Sequence, residues 1–254
     1  MITEAVILMA GAGSRLRTTG GSLPKPLVPI RRRPLISYTI EALGEIGVST
    51  LHAVVGCESE RLLTGLGPLI PETMRLDPIL NPEWQKQNGV SLLSAESHVQ
   101  APFLLLMGDH LFEPALLRDF VRQANLQVLN LAVDRKIDAI FDLADAMKVQ
   151  TEGDNVSDIG KSLTRYDAID TGIFLCPREI FAYLHEARRD GDCALADGVR
   201  LMAADGKVRA IDIGAAWWQD VDDGGMLAAA EKESDRLTKA WPERKQSADR
   251  GNSA

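Results

Sequence analysis

Ala5-Val-Ile-Leu-Met-Ala10 is an unbroken apolar run of strand length, and it empties directly into the small-residue stretch Gly11-Ala-Gly-Ser-Arg15. From there the apolar positions alternate between two periods. Leu35, Thr39, Ala42, Leu43 and Ile46 repeat at helical spacing from Pro34 to Gly47, which predicts a helix over Pro34–Ile46. Thr50 to Gly56 predicts a buried strand, Glu58 to Leu66 a short helix, and Met74 to Leu80 another strand beyond the Gly67-Pro68 break. This βαβαβ order implies a mostly parallel sheet with right-handed crossovers. Asn81 to Gly89 is polar and predicts a loop, followed by a helix over about Val90–Val99. Phe103 to Met107 is the most apolar strand of the chain and runs into Gly108-Asp109-His110.

Further on, a helix is predicted over Glu113–Ala124 and a strand over Gln127–Val133. The pattern then changes. Ala146 to Gln150 and Val156 to Ser162 flank Glu152-Gly-Asp-Asn155, which predicts a β-hairpin. A strand over Ala168–Leu175, helices near Pro177–Ala187 and Ala194–Ala203, a strand over Lys207–Ile213 and a closing helix over Gly225–Leu237 complete the pattern. With no repeat, low-complexity segment or linker, the expected architecture is α/β. It is a single Rossmann-like, mostly parallel sheet flanked by helices, with the small hairpin as a substrate-side elaboration. Residues 1–242 form the expected domain and 243–254 a mobile polar tail.

Composition narrows the partners. A net charge of −8 over 254 residues argues against nucleic acid, which needs a basic face; the only basic run is Arg31 to Arg33. No apolar run approaches the roughly twenty residues of a membrane span, so no membrane insertion is expected. Three scattered cysteines, Cys57, Cys176 and Cys193, lack metal-ligand spacing and suit a reduced, cytoplasmic protein.

The loop after the first strand carries Arg15 and Arg17 and ends at Pro24-Lys25-Pro26, a cradle of amides and cations for a polyphosphate. It is not a dinucleotide fingerprint: Leu16 stands where the third glycine belongs, and Arg31-Arg32-Arg33 occupy the region of the expected acid. Nor is it a P-loop, because no Gly-Lys-Ser/Thr follows at the required spacing. Asp109 lies at the carboxyl end of a strand, where ligands collect in open parallel sheets. Asp220 and Asp222 form a second carboxylate pair, although Asp222 or Asp223 also suits capping of the last helix. Carboxylates from distant segments beside a polyphosphate suit Mg²⁺, which takes one or two protein oxygens and fills its shell with phosphate and water.

Lys161, expected on the outgoing hairpin strand, and the pair Asp170–Thr171 could hold a phosphate and a hydroxyl of a polyol. His110 reads as a supporting residue, His52 as filler, and Trp217 and Trp218 as packing. These parts together point to nucleotidyl transfer. A phosphate monoester acceptor is already largely anionic at neutral pH, its second pKa being about 6, so no general base is needed.

At these residues the chain resembles the sugar-phosphate nucleotidyltransferases: Met9-Ala-Gly-Ala-Gly-Ser-Arg-Leu16, then Pro24-Lys-Pro-Leu27 and Pro34-Leu-Ile-Ser-Tyr38. Five further pieces resemble the CTP:L-myo-inositol-1-phosphate cytidylyltransferases. They are Asn88-Gly-Val-Ser-Leu92, Met107-Gly-Asp-His110, Ile159-Gly-Lys-Ser-Leu163, Tyr166-Asp-Ala-Ile-Asp-Thr-Gly172 and Trp218-Gln-Asp-Val-Asp222. The resemblance implies an NTP substrate, CTP, with Mg²⁺ as cofactor and a phosphorylated polyol or sugar as acceptor. It places Gly11, Ala12, Gly13, Ser14, Arg15 and Lys25 on the triphosphate, with Arg15 and Lys25 catalytic. It places Asn88, Gly89 and Ser91 at the base, Asp109 and Asp220 on the metal, and Lys161, Asp170 and Thr171 on the acceptor. Asp223 departs from the family pattern, which has Thr there. A guanylyl- or uridylyltransferase and a non-catalytic nucleotide-binding module stand as alternatives, and a homodimer stays open.

Overall fold

The computed structural model describes residues 2–17, 23–100, 102–233 and 235–238. The first half follows the apolar pattern closely. Strand β1 (Glu4–Met9) leads through the one-turn α1 (Ser14–Arg17) and a 3₁₀ turn at Lys25–Leu27 to the two-residue strands β2 (Pro29–Ile30) and β3 (Arg33–Pro34). Then come α2 (Leu35–Glu45), β4 (Thr50–Val55), α3 (Ser59–Leu66), β5 (Arg75–Leu80) and α4 (Asn88–Leu93). Next are β6 (Phe103–Met107), β7 (His110–Phe112), α5 (Pro114–Gln123) and β8 (Leu129–Asp134). The second half contains β9 (Lys148–Glu152), β10 (Asn155–Gly160), β11 (Ala168–Cys176), α6 (Ile180–Ala187), α7 (Leu195–Ala204) and β12 (Val208–Asp212). The short β13 (Trp218–Asp220), α8 (Gly224–Glu233) and α9 (Asp235–Thr238) close the described chain. The expected tail at 243–254 lies outside the described residues.

Nine strands form one sheet in the order β5-β4-β1-β6-β11-β8-β12-β10-β9. The pairs β5–β4, β4–β1 and β1–β6 are parallel, as the βαβ alternation requires. The sheet is nonetheless mixed, because β11 runs antiparallel to both β6 and β8 and the β9–β10 hairpin joins antiparallel. The hairpin is therefore part of the main sheet rather than an appendage. Its two-residue loop places Gly153 at φ +63, the left-handed region that glycine enters without penalty.

The central strands read as continuous apolar runs because helices cover both faces. Val6, Leu8, Leu105 and Phe174 pack with α4, α6 and α7, whereas Ile7, Leu104, Leu106, Ile173 and Leu175 pack with α2, α3 and α5. Phe103 and Phe181 stack at 5.7 Å between centroids and anchor α6 to the sheet. The helix expected over Val90–Val99 starts two residues early and ends at Leu93, passing into turns up to Val99. Among the described residues no helix is long and apolar enough to cross a membrane.

Candidate active site

Parallel pairing of β1 with β6 brings the loops at their carboxyl ends side by side, and the Gly108 N–H donates to the Leu8 carbonyl at 3.0 Å. Gly108 has to be small: a Cβ there would lie 2.3 Å from the Met9 side chain. The next strand, β7, leaves the main sheet and pairs with β13, matching His110 to Asp220 and Phe112 to Trp218. The Val221 N–H donates to the Asp109 carbonyl at 2.9 Å. This ribbon delivers Asp220 and Asp222 to Asp109 from more than a hundred residues away.

A chain of alternating charges crosses the cleft so formed. Lys161 donates to Asp145, and Arg15 donates to both Asp145, at 3.2 Å, and Asp222. Lys25 donates to Asp222 and, at 2.6 Å, to Asp109. His110 Nδ1 lies 2.7 Å from the other Asp109 oxygen. Burial opposes the charges of Asp109 and His110, but the pairings outweigh it. Lys25 and His110 hold the Asp109 carboxyl well below the usual carboxylate range, and the bond to Asp109 raises the His110 imidazole. Burial likewise opposes the charge on Lys25, and Asp109 and Asp222 raise its pKa regardless. For Asp145, the hydrogen bond from Lys161 and the proximity of Arg15 outweigh burial and lower the carboxyl.

Asp220 behaves differently. Burial, reinforced by the negative charges of Asp222 and Asp109, raises its carboxyl, and it has no hydrogen-bond partner among the described residues. An oxygen left without a donor beside two further carboxylates fits a hard divalent cation.

The cleft holds two adjoining cavities of about 420 and 230 Å³, both bordered by Gly11, Arg15, Asp109 and Asp222. The smaller adds Gly13, Lys25 and Gly108. Gly13 sits at φ +60, and a Cβ there would press on Lys25 at 2.9 Å, so this glycine sets both the turn and the position of the lysine. Ala12 lies in the connection between β1 and α1, and Ser14 is the first residue of α1. The larger cavity reaches Asn88, Ser91, Trp84, Lys161, Asp170 and Trp218.

Several expectations change in detail. Thr171, expected at the acceptor, does not border the cleft: it is 1% exposed and its hydroxyl donates to the Ala132 carbonyl at 2.8 Å. Strand alternation explains the correction, since Asp170, Gly172 and Phe174 border the cavity and the residues between them face the other way. The register slips between Asp170 and Phe174, and Gly172 at φ +74 lies where a Cβ would meet the His110 ring at 2.7 Å. Gly89 is buried against the Cys193 and Ala194 backbone instead of facing the cavity. Asn88 borders the cavity, yet its side-chain Oδ1 accepts the Leu195 N–H at 2.8 Å and anchors α7; the Ser91 hydroxyl accepts from Asn81 Nδ2 at 3.0 Å. Lys161 falls one residue beyond β10.

Asp223, not Asp222, caps the last long helix, accepting from the Gly225 and Met226 N–H groups at 2.8 and 2.9 Å. That frees Asp222 for the cleft. The two-residue spacing from Asp220 was a legible signal for this, because it places both side chains on one side of an extended run. Asp145 had none: it sits in the turns between Phe141 and Ala146. Trp218 does pack, stacking on His110 at 5.8 Å and donating from Nε1 to Asp134 at 2.9 Å, but it also borders the cavity.

A strand, a glycine loop and a cation–carboxylate ladder at the carboxyl ends of parallel strands are the features on which a comparison with known proteins bears. The MobA-like NTP transferase domain matches residues 5–140, which carry β1, the loop, Lys25 and Asp109. The chain belongs to this NTP transferase family. Two curated relatives are bifunctional IPC transferase and DIPP synthases. That of Thermococcus kodakarensis is 35% identical over 230 residues, covering 87% of this chain and 48% of the relative. That of Aquifex aeolicus is 29% identical over 234 residues, covering 91% and 52%. The chain thus spans about half the length of these relatives. The solved inositol-1-phosphate CTP transferase from T. maritima is 25% identical, covers 95% of this chain and 98% of its own, and superposes with a TM-score of 0.82. A UDP-glucose pyrophosphorylase complexed with UDP-glucose, 18% identical with a TM-score of 0.74 over 93% of this chain and 99% of its own, shares the fold. This NTP transferase therefore has the α/β fold of its class, with a central mixed sheet between helices, and it is a nucleotidyltransferase.

Proposed function

We propose that this NTP transferase moves a cytidylyl group from CTP to a phosphorylated polyol, inositol 1-phosphate, and releases pyrophosphate. The observation that carries the reading is the ladder Lys161–Asp145–Arg15–Asp222–Lys25–Asp109, in which each cation is held by carboxylates and each carboxylate by cations. A metal–triphosphate complex can take both sides of these pairs at once. Phosphate oxygens would pair with Arg15 and Lys25 in place of the carboxylates, leaving Asp109, Asp220 and Asp222 as the residues that would hold the cation. The exchange leaves no buried charge unpaired, which is what makes it affordable in a half-buried cleft.

On this reading the amides of Gly11, Ala12, Gly13 and Ser14, with Arg15, hold the β- and γ-phosphates, and Lys25 reaches the α-phosphate. Asp109 and Asp220 are the residues that would hold Mg²⁺, with Asp222 beside them; bound there, the ion would neutralise phosphate charge as a Lewis acid. An acceptor phosphate oxygen attacks the α-phosphorus, one P–O bond forms, and the bond to the pyrophosphate oxygen breaks. No proton moves, because that oxygen is already ionised. Lys161 meets the acceptor phosphate and Asp170 accepts from polyol hydroxyls. Asn88 and Ser91 border the space left for the base. Residues 1–242 act as one catalytic unit, and the free thiols of Cys57, Cys176 and Cys193 support a reducing, cytoplasmic setting.

The test is a pyrophosphate-release assay with each of the four NTPs, Mg²⁺ and a panel of phosphorylated polyols and sugars. CTP with inositol 1-phosphate is expected to give the highest kcat/KM and a CDP-polyol product. A higher kcat/KM with UTP or GTP would sink the base assignment. Turnover with every acceptor except phosphorylated cyclic polyols would sink the acceptor.

A further inference from the structure

Away from the cleft, toward the amino ends of β1, β4 and β5, four polar side chains meet over one face of the sheet. His52 on β4 and Asp77 on β5 are register partners in parallel strands, so their side chains share one face. Val6 is the β1 partner of His52, and Glu4, two residues earlier, shares that face as well. The chain leaving α4 brings His98 over the same point.

His52 is 1% exposed, and both its ring nitrogens face carboxylates. Nδ1 lies 2.7 Å from Asp77 Oδ2 and Nε2 lies 3.3 Å from Glu4 Oε2. His98 Nδ1 approaches the same Asp77 oxygen at 2.9 Å. Two imidazole nitrogens thus converge on one carboxylate oxygen. A neutral imidazole offers only one N–H, so His52, with a carboxylate oxygen at each ring nitrogen, needs either an extra proton or a cation on one side.

One ligand atom each from His52, Asp77 and His98 falls within 4.8 Å of the others, and among the described residues no other group of three such side chains does so. A tetrahedral zinc with ligands at about 2.0–2.1 Å holds them roughly 3.3 Å apart. The two N–O separations are within about 0.6 Å of that spacing. Asp77 is half-buried and His98 sits on a turn, so both can give by this amount.

Glu4 completes the argument. Its Oε2 accepts the Gln100 N–H at 3.1 Å, which fixes the carboxylate in place. Accepting from His52 Nε2–H, it leaves the Nδ1 lone pair aimed at Asp77, the carboxylate–histidine arrangement that orients metal-bound imidazoles. Two nitrogens and one oxygen favour a borderline ion over Mg²⁺.

We propose that His52, Asp77 and His98 form a binding site for a zinc-class divalent cation, separate from the cleft, with Glu4 positioning His52. Such an ion joins β4, β5 and the segment after α4.

The test uses the whole chain, stripped with a chelator and titrated with Zn²⁺ alone by calorimetry. Co²⁺ absorption reports nitrogen ligation, and thermal melting reports stabilisation. One zinc is expected to bind in the parent and equally in Asp109→Asn, with excess Mg²⁺ failing to displace it. His98→Ala is expected to lose at least tenfold in zinc affinity and the melting shift, and Glu4→Gln roughly 10–100-fold in affinity. His98→Ala should turn over nucleotide as the parent does. Three results would overturn the proposal: no zinc bound, an affinity unchanged by His98→Ala, or zinc lost in Asp109→Asn but kept in His98→Ala, which assigns the ion to the cleft.

Discussion

Asp170 gives the sharpest physical test of the proposed acceptor side of the cleft. Burial pushes its carboxyl up to about 6; the Gly172 N–H, donating at 2.7 Å, offsets this only in part. In the unfolded chain the same group titrates near 3.8. Between those values the folded state holds a proton that the unfolded state has released. The parent therefore loses stability as pH rises from about 3.8 through about 6, and the loss stays constant above. At about 1.4 kcal/mol per pH unit the penalty at neutral pH is about 3 kcal/mol at most. Solvent at the cleft mouth reduces it, which makes about 1–3 kcal/mol the working range.

Asp170→Asn keeps an oxygen for the Gly172 N–H and removes the titration. Near pH 7.5 the variant is expected to be more stable by that amount, a rise of roughly 2–4 °C in Tm per kcal/mol for a chain of this size. Near pH 4.5 the advantage should be much smaller. The assay is ligand-free thermal melting of both proteins across that pH range. Other titrating groups cancel in the difference. A variant less stable than the parent at the upper pH, or an advantage that does not vary with pH, would refute the reasoning. The same substitution should lower kcat/KM for the acceptor while leaving KM for the nucleotide near the parent value, because an ionised carboxylate kept at a cost to folding is kept for what it binds.

Lys25→Ala removes the cation between Asp109 and Asp222 and is expected to cost roughly 10²–10³ in kcat, read by pyrophosphate release, with the far-UV circular dichroism unchanged. Thr171→Val deletes the hydroxyl that bonds the Ala132 carbonyl, so urea unfolding should show a loss of about 1–2 kcal/mol, with the acceptor KM unchanged; an acceptor KM raised tenfold would return Thr171 to the cleft. Arg32 sits at φ +70 in the turn between β2 and β3, and Arg32→Gly is expected to stabilise the fold by about 1 kcal/mol in the same assay, at parental turnover.

Much of this protein was legible before any tertiary contact was known, because some information is local. The apolar runs at Ala5–Ala10 and Phe103–Met107 demand burial on both faces. Alternation of strand and helix periods forces parallel pairing, and parallel pairing gathers the loops that follow the strands. That reasoning alone puts the Gly11–Arg15 loop beside Asp109. The hairpin was equally local, since Gly153 marks a two-residue turn. What local pattern does not carry is the direction in which a later strand enters the sheet. β11 inserts antiparallel between β6 and β8, and with it the sheet becomes mixed.

The site divides the same way. Arg15, Lys25, Asp109, Asp220, Lys161 and Asp170 were read from residue type and position, and the fold brings them to one cleft. Thr171 was misread because its neighbour Asp170 faces the cavity, and adjacent strand residues point to opposite faces. Asp145 was invisible, because a carboxylate in a turn gains meaning only from the cations it meets, 130 residues away in the case of Arg15. His52 looked like filler for the same reason: its partners Glu4, Asp77 and His98 come from three other segments. By itself the sequence determined the layers, the glycine loop and the reaction class, since periodicity and loop chemistry are properties of neighbours in the chain. The tertiary structure alone decided which charges pair and which face each side chain takes, since those depend on register between strands the chain brings together only when folded.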